Sequence, residues 1–327
     1  MAANAQGAHL KIVDEVCFQN EAVSLCLMIN RRAQLMRVID FRSGATEAKR
    51  SFVLAFARRE HVAKVYTLVE RDEAASWAKL GFAKEANVPS FYKRSDAFIL
   101  GCMVAADEDE RTVASADGGH LSTGREPPSQ SETRLAVAQP LASPPTEMTQ
   151  AQARMERTIV AGKKGLKDLT SKGLPTAKLA FVPEAQARRA ASLALRRGRA
   201  LTAFEPFGRD VDRRYFCARV RGGFELYASV ESQVCFGNAY LELLQGPRTG
   251  AETMAAAAAL KALCDRLLSE GLVSCFSLAP SDDVPLATVF LSNGFRRTGL
   301  LPFHLVVGGQ RRDAILWSRK LANPGDE

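Results

Sequence analysis

The sequence is poor in the residues that build metal centres and disulfide frameworks. It has only four histidines and seven cysteines, and no two cysteines stand in a C-x-x-C arrangement. A structural zinc site needs about four such ligands at short spacings, so no zinc site is predicted. An odd number of scattered cysteines is typical of reduced thiols that pack as small core residues.

Long apolar runs are also missing. The best run, residues 98–106, is half the roughly 18 to 20 residues that a membrane helix needs. Residues 1–9 combine neither a basic start nor an apolar stretch, so no secretory signal is predicted. We therefore expect a cytoplasmic protein without a membrane partner.

What the chain does contain is ordinary globular composition with an uneven charge. Its 327 residues are 46% hydrophobic and 24% charged, which suits two domains of about 150 residues each. Residues 151–216 hold 15 Lys and Arg against 6 Asp and Glu, whereas residues 106–147 are rich in Pro, Ser, Gly and acidic residues. Such a stretch cannot bury enough apolar surface to offset its ordering entropy. We predict an amino-terminal tail (1–8), a first domain (9–105), a flexible linker (106–147), a basic helical segment (148–200), a second domain (201–321) and a tail (322–327).

The order of secondary structure occurs twice. Three strand-like runs, a long helix, a strand, a short helix ended by glycine and final strands follow one another in residues 10–104. The same order returns in residues 214–318. Three landmarks recur with it: Arg42-Ser43-Gly44-Ala45 and Arg248-Thr249-Gly250-Ala251, Gly81-Phe82 and Gly294-Phe295, Asp96-Ala97-Phe98 and Asp313-Ala314-Ile315. The repeated order indicates an internal duplication of one α/β unit.

The stretch Trp77 to Phe82, followed by Glu85, Pro89, Phe91-Tyr92 and Asp96-Ala97-Phe98, resembles the carboxy-terminal half of the GNAT superfamily of acyl-CoA N-acyltransferases. It is similar to the β-lysine N-acetyltransferase-like branch. The resemblance covers residues 22–104 well and residues 215–320 mainly through Gly294-Phe295 and Asp313-Ala314. It implies an α/β fold class with two GNAT-like mixed-sheet units in tandem, joined by a disordered linker and a basic helical segment.

The resemblance implies acetyl-CoA as cofactor, in a gap beside the strand that precedes the long helix. Its pyrophosphate would bind free amides at the helix amino terminus, which form an anion site on physical grounds. The family's loop reads Gln or Arg, two residues, Gly, one residue, then Gly or Ala. Each copy here offers Arg-x-Gly-Ala, and the candidate cofactor residues are Arg42, Ser43, Gly44, Ala45, Arg248, Thr249, Gly250 and Ala251. The alternative is a plain strand-to-helix turn with an exposed arginine.

The family's general acid is a tyrosine four residues before the Gly-Phe pair, where this chain has Trp77 and Phe290. Neither side chain has a titrating proton. Glu70 and Asp283, eleven residues before the same glycines, are candidate general bases, with a solvated strand-end charge or a helix cap as the favoured alternative. Tyr92 is a candidate substitute acid, against the alternative of a packed tyrosine.

The basic segment has three interpretations. It supplies the first strand (177–182) and helix (184–198) of the second unit, or it forms a polyanion-binding surface, or its arginines hold the adenosine phosphate of CoA or the acidic linker. Four arginines, Arg188, Arg189, Arg196 and Arg197, share about half of the helical wheel. No aromatic residues are interleaved with them, so stacking on nucleic-acid bases has no support.

Two functions from different classes remain nearly level. The first is an acetyl-CoA-dependent N-acetyltransferase that acts on a small-molecule or protein amine. The second is a catalytically degenerate GNAT-like module that senses an acyl-CoA or binds a protein. Nucleic-acid binding by the basic segment ranks below both. The residues specify neither the acceptor nor the oligomeric state.

Overall fold

The computed structural model describes residues 13–19, 23–40, 44–92, 95–104, 145–209, 211–233 and 236–322. Of the predicted linker, only residues 145–147 fall within these ranges, and they begin a helix. The candidate cofactor residues Arg42 and Ser43 lie outside them.

Residues 13–104, here called the first half, contain six strands and two helices. These are β1 Val13–Gln19, β2 Ser24–Asn30, β3 Leu35–Asp40, α1 Glu47–Arg59, β4 Lys64–Val69, α2 Arg71–Lys79, β5 Ala83–Val88 and β6 Ala97–Met103. Residues 145–322, the second half, contain α3 Pro145–Lys172, β7 Ala177–Val182, α4 Glu184–Arg196, β8 Asp212–Val220, β9 Phe224–Gln233, β10 Asn238–Leu243, α5 Gly250–Ser269, β11 Ser274–Pro280, α6 Val284–Ser292, β12 Arg296–Val307 and β13 Gln310–Lys320.

All thirteen strands form one continuous mixed sheet. From one edge the order is β1-β2-β3-β4-β6-β5, and from the other edge, after β7, it is β8-β9-β10-β11-β13-β12. In the described part of each half, one pair of neighbours is parallel: β3 with β4, and β10 with β11. The other neighbours within these two series are antiparallel. The protein is thus a mixed α/β molecule whose halves have the same topology.

The halves meet at the centre of the sheet, where β5 runs antiparallel to β12. Gly299 is in register with Ala86, and a Cβ on Gly299 would overlap the Cβ of Ala86. Glycine is therefore required for this approach of the two backbones. Beside it, the buried Lys64 Nζ lies 2.7 Å from Glu85 Oε2 and donates to the Pro302 carbonyl at 2.7 Å. The β5–β12 pairing and the hydrogen bond from Lys64 to Pro302 join the two halves, and Glu85 balances the charge of Lys64 within the first half.

The long and short helices pack their apolar faces on the sheet. In α1 the buried positions include Val53, Leu54, Phe56 and Ala57, the spacing of one helical face. The short helices show a repeated aromatic pair: Trp77 lies edge-on to Phe82 at 4.9 Å, and Phe290 lies edge-on to Phe295 at 5.1 Å. All four rings are buried, so the Gly-Phe landmarks mark equivalent core positions.

The predicted elements agree with the structure in most places. The strand β5 was not predicted, because Lys84, Glu85 and Asn87 give it a polar appearance. In β12, the sequence pattern favours a strand only for residues 304–307, whereas the structure begins the strand at Arg296. In the basic segment, β7 and α4 match the predicted strand and helix of the second unit. The helix α3 packs against α6, where Gly162 lies beneath Ala287 and Leu291.

Candidate functional site

In the first half, the parallel strands β3 and β4 part at one end. Their register runs from Leu35 opposite Lys64 to Val38 opposite Thr67 and then stops, although β3 continues to Asp40 and β4 to Val69. Strands that stop pairing leave backbone groups and side chains free to line an opening in the sheet. The position of this opening is therefore fixed by the topology.

The second half repeats this feature. The register of β10 and β11 ends at Leu241 opposite Ser277, although β10 continues to Leu243 and β11 to Pro280. Each half thus has a parted strand pair followed by a helix, the arrangement in which the sequence resemblance placed a cofactor.

The opening of the first half is a cleft of about 870 Å³, here called the first cleft. It brings together Glu70 and Tyr92, two of the three candidate catalytic residues. Its other lining residues come from β3, β4, α2, the turn between β5 and β6, and three parts of the second half: Arg37, Val38, Ile39, Asp40, Leu68, Asp72, Glu73, Phe91, Gly208, Arg209, Val211, Asp212, Ser232, Gln233 and Phe236.

Carboxylates outnumber cations in the first cleft. Five of its lining residues are acidic, namely Asp40, Glu70, Asp72, Glu73 and Asp212, against two arginines. Burial, with the neighbouring Asp40 and Glu70, raises the pKa of Glu73. A concave surface with this excess of negative charge attracts cations, including protonated amines.

Glu70 and Asp283 occupy equivalent positions but have different surroundings. Both are amino-terminal caps, of α2 and α6. Asp283 Oδ1 accepts a hydrogen bond from the Leu286 amide at 2.9 Å, and burial raises the pKa of its carboxyl. Glu70 makes no capping hydrogen bond and is exposed in the first cleft. Asp283 thus has the geometry of the cap that was the alternative to catalysis, whereas Glu70 faces a space that can hold a substrate.

Tyr92 lies in the turn between β5 and β6 and keeps its proton over a wide pH range. Burial raises the pKa of its phenol to about 12; Arg37 lowers it, while Glu70 and Glu73 raise it. Its ring packs edge-on against Phe91 at 4.9 Å and Phe236 at 5.5 Å. A protonated phenol held by neighbouring rings is suited to donate a proton within the cleft.

The loop before α1 contains the first group of candidate cofactor residues. Gly44 has φ +101°, a conformation that favours glycine, and no atom lies within 4 Å of the place of its missing Cβ. Ala45 follows, and Thr46 caps the helix. The buried Lys49 Nζ donates to the Gly44 carbonyl at 2.8 Å and pairs with Asp40 at 2.7 Å. The described part of this loop is therefore open on its outer side and held from within by Lys49.

The loop before α5 contains the second group. Thr249 Oγ1 accepts from the Glu252 amide at 3.1 Å, and the Arg248 amide, one residue before the cap, donates to Glu252 Oε2 at 2.8 Å. The Glu252 carboxylate thus already occupies an amide that an anion would use. The Arg248 side chain is exposed and lines a cleft of about 390 Å³ together with Arg199 and Gln245. Gly250 and Ala251 form the exposed first turn of α5.

The two loops are equivalent with an offset that the sequence match missed. Helix caps Thr46 and Thr249 stand at the same distance from the first residues of β3 and β10. Arg42 is therefore equivalent to Gln245, three residues before the Arg248 that the Arg-x-Gly-Ala match paired with it. The family's loop spacing is matched by Gln245, Arg248 and Gly250, with Arg248 in place of the first glycine. This match could have been found from the sequence.

A buried connecting segment, residues 200–209 between α4 and β8, fills the opening of the second half. The Leu201 amide donates to the Leu244 carbonyl at 2.8 Å, just beyond the end of β10. The remaining cavity, which Leu243 and Leu278 help to line, has a volume of only about 70 Å³. This space accommodates a few water molecules and no substrate.

The connecting segment has no regular secondary structure, so its buried backbone needs side-chain partners. Glu231 accepts from the Phe207 and Gly208 amides at 2.8 and 2.7 Å. Arg188 donates to the Ala203 and Phe204 carbonyls at 2.9 and 3.1 Å. One arginine of the basic segment thus holds the connecting segment in place. Arg189, Arg196 and Arg197 are exposed.

Two buried glutamates share one hydroxyl in the small cavity. Thr202 Oγ1 lies 2.9 Å from Glu205 Oε2 and 2.6 Å from Glu242 Oε1, and it accepts from the Phe204 amide. A hydroxyl donates only one hydrogen, so one carboxyl must supply its own. Glu205 pairs with Arg32, whereas burial raises the pKa of Glu242 to about 7. Glu242 is therefore the protonated partner below neutral pH.

Trp77 and Phe290, which stand at the family's general-acid position, do not line any of the three clefts described above. Both are buried, and Phe290 stacks on Trp317 at 5.3 Å. Both side chains therefore pack the core. Tyr92 reaches the first cleft from the turn between β5 and β6. The sequence identified it only as a candidate substitute for the family's general acid.

Within the described ranges, no helix is long and apolar enough to cross a membrane. No protein-family model matches the chain, and no curated protein matches it. Among solved structures, the ribosomal-protein-S18-alanine N-acetyltransferase from Escherichia coli is similar, with 17% identity, a TM-score of 0.35 and coverage of 46% of this chain and 98% of that one. Spermidine N-acetyltransferase from Vibrio cholerae in complex with CoA and spermine is similar with 12% identity, a TM-score of 0.36 and coverage of 45% and 96%.

Proposed function

We propose that the protein is an acyl-CoA-dependent N-acyltransferase of the GNAT type, that acetyl-CoA is its acyl donor, and that the first cleft is its active site. The observation that carries this proposal is the joint presence of Glu70 and Tyr92 in an 870 Å³ cleft at a parted parallel strand pair. The repeated topology supports the further proposal that the halves arose by duplication, with domains at 9–105 and 201–321.

The residues present fit the proposed donor. Acetyl-CoA supplies an acyl group activated as a thioester. The amino terminus of α1 offers amides without intrahelical partners, and Gly44 leaves the approach to them open. Arg42 would pair with a phosphate, with Ser43 and Ala45 completing the loop. In the second half, Arg248 to Ala251 lie in the loop before α5 and its first turn, where Glu252 competes for one amide.

The acceptor would be a small-molecule or protein amine. The carboxylates of the first cleft draw its ammonium group inward, and Glu70 removes a proton so that the nitrogen becomes nucleophilic. Tyr92 keeps its proton at neutral pH and gives it to the leaving group. In this scheme the filled second half has a supporting role, and Asp283 acts as a cap rather than as a base.

Calorimetric titration of the purified full-length protein with acetyl-CoA tests this proposal, together with release of free thiol in the presence of a panel of amines. Arg42→Ala and Arg248→Ala are the two variants, because each removes the arginine that one of the two loops offers to a phosphate. We expect saturable binding that Arg42→Ala weakens about tenfold or more, because a charge-assisted hydrogen bond to phosphate is lost. Binding abolished only by Arg248→Ala would assign the cofactor to the second half, and the absence of binding would refute the proposal.

The alternative is a catalytically degenerate module that senses an acyl-CoA or binds a protein. The filled opening of the second half and the core positions of Trp77 and Phe290 favour it. The two functions differ in turnover. Binding of acetyl-CoA without thiol release for any amine supports the module, whereas multiple turnovers that depend on Glu70 support the enzyme.

A further inference from the structure

Arg37, on β3, is a buried cation that has no acidic partner within the part of the chain that the structure describes. Only 8% of its surface is exposed, and its Nε has no hydrogen-bond partner. Its guanidinium lies over the Phe207 ring at 4.5 Å, and Nη1 donates to the Phe207 carbonyl. Among the described residues, no carboxylate forms an ion pair with it.

An unpaired charge at this depth is costly. Removing an ion from water costs several kcal/mol unless an opposite charge or a full set of hydrogen bonds replaces the solvent. Burial lowers the pKa of Arg37, as expected for a cation that lacks a counter-ion. The nearby carbonyl and ring compensate for part of the loss of water, but neither carries a full negative charge.

The other buried cations of the first half are paired. Lys49 meets Asp40, and Lys64 meets Glu85, both at 2.7 Å. The distinguishing feature of Arg37 is its place in the wall of the first cleft. The missing partner of Arg37 is therefore best sought among the molecules that enter the cleft.

We propose that Arg37 binds a carboxylate of the acceptor, so that the substrate is an amine that also carries a carboxylate. A planar guanidinium matches a carboxylate in shape and charge. This inference rests on the proposed function for the identity of the amine as acceptor, whereas the binding of the carboxylate does not depend on catalysis.

The cleft provides for both ends of such a molecule. The charge of Arg37 lowers the pKa of the Tyr92 phenol, and the charges of Glu70 and Glu73 raise it. The phenol therefore lies near the arginine as well as near the two carboxylates. An ammonium near the carboxylates and a carboxylate on Arg37 would place the substrate beside Tyr92. Arg37 is then a specificity-determining residue, and its partner arrives with the substrate.

The test measures binding by calorimetry on the full-length protein without an acyl donor. The probes are ω-amino acids of increasing chain length and the alkylamines of equal length, which differ only in the carboxylate. We expect one chain length at which the amino acid binds at least about tenfold more tightly than its alkylamine. Equal affinities at every length would overturn the proposal without any variant being made.

Two variants then locate the effect. Arg37→Gln should remove the preference for the amino acid while leaving alkylamine affinity within about threefold, provided that its thermal unfolding remains cooperative. Arg209→Gln is the matched control, because Arg209 lines the same cleft but pairs with Glu15 at 3.6 Å, and it should leave the preference unchanged. A folded Arg37→Gln protein that retains the preference would refute the assignment.

An aminoalkyl phosphate provides the last comparison. Tighter binding of the phosphate than of the amino acid of equal length would overturn the assignment of a carboxylate. Failure of the proposed function is distinguishable from failure of this inference. An amino acid that binds through Arg37 but is never acylated refutes only the enzyme, whereas acylation of plain alkylamines at equal rates refutes only the carboxylate site.

Discussion

The two halves of this molecule place an opening at the same point of the same topology and then treat it in opposite ways. The opening of the first half is a cleft of about 870 Å³, and that of the second half is reduced to about 70 Å³. The difference arises from the connecting segment, residues 200–209, which lies across the end of β10 and keeps its polar groups paired.

This comparison separates what a fold provides from what a site requires. Strand order fixes where a parallel pair separates, so both halves have that feature. Access, charge and a protonated phenol come from side chains and connections that topology does not determine. The same segment that fills the second opening also supplies Gly208 and Arg209 to the wall of the first cleft. The second half thus helps to form the cleft of the first.

The largest expected effect concerns the start of β4, the end at which β3 and β4 are still paired. Lys64 begins β4 and pairs with Glu85, whereas Ser274 occupies the equivalent place in β11. Lys64→Met leaves the Glu85 carboxylate buried without its partner. We expect it to lower the free energy of unfolding by about 3–5 kcal/mol in urea denaturation, because an uncompensated buried charge remains.

Ser274→Ala is the matched control in the second half, and it should change the free energy of unfolding by less than about 1 kcal/mol. The double variant Lys64→Met with Glu85→Met should recover part of the loss, because both charges are then removed. A Lys64→Met protein as stable as the wild type would show that the ion pair contributes no more to the free energy of unfolding than Ser274 does in the second half.

Much of the fold was predictable because its strands and helices follow simple patterns. The buried run of β2 is almost entirely apolar, and Gly81 and Gly294 follow directly after the caps of the short helices. The continuous sheet was not predictable, since it depends on the polar strand β5. Residues 83–88 lack a regular alternation of apolar and polar side chains, so the sequence does not mark them as a strand. The buried Glu85 is explained by the structure alone, which places Lys64 within hydrogen-bond distance of it.

The candidate site was predictable only in part. Glu70 and Tyr92 could be named from their spacing to Gly81 and from the Phe-Tyr pair, and the structure brings both to the first cleft. Arg37 gave no signal, because an arginine in a strand is ordinary until its burial and missing partner are known. The filling of the second opening was equally hidden, since it depends on long-range contacts of a segment without periodicity.

The second prediction tests whether the first cleft, and not the second half, contains the acid. Tyr92→Phe removes the proposed proton donor and should lower kcat about a hundredfold or more with little change in stability. Tyr240→Phe is the matched change at the small cavity, where burial raises the pKa of the phenol well above its usual value. It should leave kcat within about twofold, measured as thiol release. Equal losses in both variants would refute the assignment of chemistry to one half.

The smallest effect concerns Glu242, whose pKa of about 7 exceeds the ordinary value of 4.5 because of burial. The folded state therefore binds a proton that the unfolded state has lost between pH 4.5 and 7. Stability contributed by this proton is complete below about pH 4.5 and is lost as the pH rises through 7, with a slope of at most about 1.4 kcal/mol per pH unit.

Glu242→Gln isolates this contribution, because the amide keeps the shape and hydrogen-bonding capacity of the protonated carboxyl. The difference in unfolding free energy between wild type and variant, measured by urea denaturation from pH 5 to 8, should move in favour of the variant as the pH rises. A difference that stays constant over this range would mean that Glu242 does not supply the proton shared with Thr202. Glu205 would then have to supply it, despite its pairing with Arg32. The filling of the second half would in that case depend on a neutral Glu205, and Arg32 would lose its anionic partner at the boundary between the two halves.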